Sequence, residues 1–111
     1  MEVLEMSRHR HGEQVVVSLV GEIDADNVAR VRSCLNEAVA THDPRLVVDM
    51  SALTFIDTTG LGVLVRLLAS LRDRNGTMAL VAPDGQVLRR LRRTNLAPLF
   101  PIYDTLPQAL A

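Results

Sequence analysis

A chain of 111 residues with 48% hydrophobic and 23% charged side chains has the size and composition of one globular domain, and lacks the low-hydrophobicity, high-charge signature of disorder. Twelve basic against thirteen acidic side chains leave a formal charge of -1, so no global field draws in nucleic acid or an anionic membrane. All twelve basic residues are Arg, which removes the lysine needed for Schiff-base chemistry or a Walker A phosphate loop, and the single Cys34 excludes an internal disulfide.

Residues 2–10 have moderate strand character. After the turn signal His11-Gly12-Glu13, residues 15–20 are rich in β-branched side chains, so the two segments predict a hairpin whose second strand ends at Gly21. From Asn27 the apolar positions Val28, Val31, Leu35, Ala38 and Val39 recur at helical spacing, with Asp24 or Asp26 available as N-cap. His42-Asp43-Pro44 breaks that helix, and Leu46-Val47-Val48 has the continuous apolar character of a central strand covered on both faces. A mixed segment, 49–57, leads into a second helix whose Leu61, Leu64, Val65, Leu68 and Leu71 form one stripe ending at Asn75-Gly76.

Residues 78–82 read as a strand, Pro83-Asp84-Gly85 as a turn, and Val87, Leu88 and Leu91 as the apolar edge of a third helix that also carries Arg89, Arg90, Arg92 and Arg93. With few aromatic residues to stack bases, those arginines are expected to form a solvated, salt-bridged face. The tail 99–103 reads as a short edge strand, followed by a terminal helix from Asp104 or Thr105. Strands alternating with helices after an initial hairpin imply an α/β fold with a mixed sheet of about four or five strands and about four helices, in a single domain over 1–111. The longest apolar stretch, 61–71, is interrupted by Arg66 and Ser70, so no membrane span is expected, and the absence of an N-terminal export segment points to the cytoplasm.

The chemically informative stretch is Asp57-Thr58-Thr59-Gly60-Leu61-Gly62, where a loop ends and an amphipathic helix begins. Its structural explanation is that Asp57 or a threonine caps the helix and the glycines let backbones pack closely. Its functional explanation is that two glycines weaken a helical turn by roughly 1 kcal/mol each, more than capping requires, in a place where a threonine hydroxyl is open to a kinase. A phosphate there would sit on the positive end of the helix dipole. Glu22 and Asp24, two apart at a strand end, point to one side and serve either capping or partner contact. His9 and His11 lack a third ligand, so no metal is predicted. Gly60-Leu61-Gly62 does not continue as a dinucleotide fingerprint, because Val65 stands where the third glycine belongs, so no nucleotide cofactor is expected. With no G-x-S-x-G elbow and no histidine near Thr58 in sequence, Thr58 reads as a substrate rather than a catalyst, and the chain as not an enzyme.

Three segments resemble the STAS domains, most closely the bacterial anti-sigma factor antagonists: Val20-Gly21-Glu22-Ile23-Asp24, then Leu46-Val47-Val48-Asp49-Met50-Ser51 with 55–62, and the tail 99–104. The resemblance covers nearly all of the chain. It implies a single STAS domain with phosphorylation at Thr58, Thr59 being a possible second acceptor, and partner contacts drawn from Glu22, Asp24, Asp57, Thr58, Thr59, Gly60, Leu61 and Gly62. The usual antagonist carries serine at the position of Thr58. The resemblance further implies a partner-switching cycle. The unmodified antagonist binds an anti-sigma factor kinase of the GHKL type and releases a sigma factor, phosphorylation ends binding, and a PP2C-type phosphatase resets the cycle. The alternatives are a STAS adaptor subunit of a stress-sensing or lipid-transport complex and, in another class, a small nucleotide-binding enzyme.

Overall fold

The computed structural model describes residues 4–111, so residues 2 and 3 of the expected first strand lie outside the described residues. Strand β1 (Leu4–His11) turns at Gly12, whose φ is +61°, and pairs antiparallel with β2 (Gln14–Ile23) as the expected hairpin. Helix α1 (Val28–Ala38) returns the chain to β3 (Arg45–Ile56), which lies parallel to β2; α2 (Thr58–Asp73) leads to β4 (Thr77–Val81), and α3 (Gln86–Arg93) with a short 3-10 turn (Ala97–Leu99) leads to β5 (Ile102–Tyr103). Helix α4 (Leu106–Leu110) closes the chain, with Thr105 as its N-cap in a capping box with Gln108. The sheet runs in the order β1-β2-β3-β4-β5, mixed because β1 alone is antiparallel. It has the α/β architecture, strand number and helix number that the sequence implies.

The sheet divides the apolar residues into two clusters by the period of two along each strand. One face, carrying Val15, Val17, Leu46, Val48, Met78 and Leu80, packs against α1, α2 and α3 in the main core. The other, carrying Val16, Val47 and Val81, is covered by Ala109 of α4 with Leu106 and Leu110 beside it. Leu46-Val47-Val48 is therefore buried on both faces, as its continuous apolar run requires.

Three local expectations are corrected. Strand β2 does not end at Gly21; that residue takes φ +113° at a register shift between β2 and β3, and the strand continues through the bulge to Ile23. Strand β3 likewise runs on to Ile56, through a stretch whose polar residues mark exposed positions rather than a loop. The buried arc of α2 includes Val63 and Leu67 beyond the expected stripe, because that helix packs on α1 as well as on the sheet, while Val65 is only half-buried.

Candidate functional site

The ends of β2 and β3 lie side by side, with Ile23 opposite Ile56 and Glu22 opposite Phe55, and the Asp57 N–H donates to the Ile23 carbonyl at 3.1 Å. Parallel pairing thus brings Glu22 and Asp24 to the same edge as the Asp57–Gly62 turn, although more than thirty residues of chain separate them. The β2–α1 loop is held by Asn27, which is 3% exposed. Its Nδ2 donates to the Glu22 carbonyl at 2.9 Å and its Oδ1 accepts from the Asp24 N–H at 3.0 Å. Asn27 is also the N-cap residue of α1, with no side-chain cap bond of its own. Neither Asp24 nor Asp26 fills that position as expected: the Asp24 carboxylate accepts from the Asp26 N–H at 3.0 Å in a local turn, and its carbonyl accepts from Val28 N–H at 3.0 Å. Asn27 escaped the sequence reading because its side chain works backwards into the loop rather than forwards into the helix.

Asp57 is the N-cap of α2, in extended conformation, and its Oδ1 accepts from the Thr59 N–H at 3.0 Å and the Gly60 N–H at 3.2 Å. The same oxygen accepts from the Thr59 hydroxyl. Thr58, the first residue of the helix, is exposed, and among the described residues its hydroxyl has no hydrogen-bond partner. The two threonines are therefore chemically distinct: one hydroxyl is engaged by the cap and the other is open to solvent. Desolvation pushes the Asp57 carboxyl up, but the hydrogen bonds from Thr59 and Gly60 and the positive charge of Arg90 outweigh it, leaving the group below its ordinary value.

The two glycines have different causes. Gly60 is buried, and a Cβ there would stand 2.7 Å from Cγ1 of Ile56 and 2.9 Å from Cγ2 of Ile23, so only glycine lets the helix start sit on the strand ends. Its cost is explained by packing, not by a need for openness. Gly62 instead makes room for a side chain of its own helix, since a Cβ there would stand 3.3 Å from Nη1 of Arg66. Leu61 is buried, with one edge lining a hollow of about 340 Å³ shared with Thr58, Gly62, Val65, Arg66, Thr94 and Leu96.

Arg90 of α3 donates through Nε to the Ile56 carbonyl at 2.7 Å and lies over the Phe55 ring at 5.4 Å. With Phe55, Gln86, Arg89 and Arg93 it lines a basic groove of about 350 Å³. The expected salt-bridged face of α3 is thereby corrected: among the described residues the ion pair there is Arg89–Asp84 at 3.8 Å between exposed side chains, and Arg90 serves the backbone of β3 instead. Nothing in the sequence pairs Arg90 with Ile56, because the contact crosses 34 positions. His9 and His11 are exposed on β1. Cys34 is half-buried between α1 and β1, where burial, opposed by Arg8 and aided by Glu37, raises its thiol.

Fold and site together define a small α/β domain whose distinctive surface is a capped helix start with a free hydroxyl, placed where two parallel strands end. The chain belongs to the STAS domain family, whose model matches residues 5–109. It is 32% identical over 108 residues to an anti-sigma F factor antagonist of Paenibacillus polymyxa, covering 96% of this chain and 91% of that protein. It is also 32% identical over 103 residues to the anti-sigma-F factor antagonist RsfB of Mycobacterium tuberculosis, covering 90% and 81%. Among solved structures, an anti-sigma factor antagonist from Mycobacterium paratuberculosis superposes with a TM-score of 0.89 at 31% identity, over 97% of this chain and 92% of that one.

Proposed function

We propose that this chain is an anti-sigma factor antagonist, a cytoplasmic binding module rather than an enzyme, and that phosphorylation of Thr58 switches its binding off. The observation that carries the reading is the free, exposed Thr58 hydroxyl on the first residue of α2, next to a Thr59 hydroxyl already taken up by Asp57. Similarity to antagonists along nearly the whole chain supports an anti-sigma factor as the partner class; in this reading that partner is itself a GHKL-type serine/threonine kinase, and a PP2C-type phosphatase restores the hydroxyl. The contact surface in this reading is the edge formed by Glu22, Asp24, Asp57, Thr58, Thr59 and Gly62, with Leu61 at the hollow and the buried Gly60 holding the turn in place.

The physical basis of the switch is charge and desolvation. A phosphate adds about -1.5 to -2 charges and must remain solvated, so on Thr58 it opposes burial of this edge against a partner. The fold has no reason to change, because Thr58 buries nothing in the core. Thr58→Glu and Thr58→Asp are expected to weaken kinase binding at least tenfold, about 1.4 kcal/mol, while Thr58→Ala binds like the natural chain and resists being switched off. Calorimetric titration of the three variants against the kinase decides the matter, and equal affinities would overturn the proposal.

A further inference from the structure

Resting on the reading of Thr58 as the modified hydroxyl, we propose that Arg66 is the counter-ion, within the same chain, of the phosphate that Thr58 receives. Thr58, Gly62 and Arg66 follow one another at intervals of four along α2, and residues so spaced on a helix have Cβ atoms about 5–6 Å apart on one ridge. The Arg66 side chain leans back along that ridge toward the helix start, as long helical side chains do. It comes to lie over Gly62, with Nη1 at 3.3 Å, Nη2 at 3.5 Å and Cζ at 3.7 Å from the point a Cβ would occupy. The missing side chain at 62 leaves the guanidinium room to rest there, one turn of helix from Thr58.

The surroundings leave the guanidinium for this use. Among the described residues Arg66 has no carboxylate within 4 Å and no side-chain hydrogen bond, although it is exposed and free to find one. Thr58 and Arg66 line the same hollow between α2 and the end of α3. Across it the Thr94 hydroxyl donates to the Arg90 carbonyl at 2.8 Å, and no other cation lines the hollow. The neighbouring carboxylate, Asp57, is committed to the Thr59 and Gly60 N–H groups and the Thr59 hydroxyl, while Arg90, whose charge also reaches Asp57, is held by its bond to the Ile56 carbonyl and its place over the Phe55 ring and does not line the hollow. A phosphate on Thr58 therefore meets a flat, bidentate donor that has no other partner. Its capture holds the modified group at the rim of the hollow and withdraws Arg66 from any contact with a partner.

The test uses the full chain with phosphothreonine placed at 58 during its synthesis, so it does not depend on which kinase acts or whether the kinase binds. Phosphorus NMR titration follows the second ionisation of the phosphate in the natural chain, in Arg66→Gln, and in Arg45→Gln, which removes the same charge at the distant start of β3. The expected result is an ionisation about 0.5 pH unit lower in the natural chain than in Arg66→Gln, a roughly threefold change in proton affinity, with Arg45→Gln like the natural chain. The Arg66 Nε–H resonance is expected to move on phosphorylation. Equal ionisation in all three proteins with an unmoved Arg66 resonance would overturn the counter-ion, as would equal shifts in both variants. The antagonist reading fails separately, through the kinase affinities of the Thr58 variants.

Discussion

Oδ1 of Asp57 accepts from two backbone N–H groups and one hydroxyl, and this concentration of donors on one oxygen fixes both the start of α2 and the identity of the free threonine. The sequence alone left the cap open between Asp57 and a threonine; a carboxylate followed by two hydroxyls satisfies either choice, and only the extended backbone at Asp57 separates them. The same bonds make the cap pH-dependent. Because the folded carboxyl is held below its ordinary value, its contribution is complete above the unfolded pKa of about 3.9 and is lost as pH falls through the lower folded value. Replacing the charge with an amide, Asp57→Asn, is expected to cost about 0.5–1 kcal/mol at neutral pH, the worth of an anion at a helix start. Urea unfolding of both proteins checks this, with the difference between them shrinking as pH is lowered below the ordinary carboxylate range and through the folded value.

At the scale of elements, the parts most legible in the sequence were those with a clean period: the hairpin, α2 with its leucines, and the doubly covered Leu46-Val47-Val48. The strand ends were the least legible, and they are where the site lies. Gly21 reads as a terminator, yet its positive φ absorbs a register shift and lets β2 continue to Ile23, which then seats Gly60. The polar residues of β3 after Val48 suggested a loop because half of that strand faces solvent near its end, beyond the reach of α4. Continuation of both strands sets Ile23 opposite Ile56 and so determines where Asp57 and Thr58 emerge. Gly21→Ala forces an L side chain into that conformation and is expected to cost about 1–3 kcal/mol, read as a lower urea midpoint with an unchanged slope. A slope that changed as well would mean that the strand end had lost its pairing instead of bearing strain.

For the molecule as a whole, a formal charge of -1 conceals a segregation of sign. Glu22, Asp24 and Asp26 gather at the β2–α1 loop, whereas α2 and α3 together carry six arginines against one carboxylate, Asp73. Composition could not reveal this, since the total count cancels; the order of residues along the chain does. Thr58 opens the basic of the two stretches, on the helix end that favours negative charge and outside both apolar clusters. A negative group there changes the surface field without touching the packing, which is what separates a binding switch from a folding switch. Thr58→Glu is accordingly expected to stabilise the domain by about 0.3–1 kcal/mol at low salt, with the gain falling as salt screens the helix dipole and the nearby arginines. Urea unfolding of the variant and the natural chain at low and high salt measures it. A loss of more than about 1 kcal/mol would instead show that the Thr58 side chain supports the helix start, and that the phosphate proposed there would act by loosening the turn.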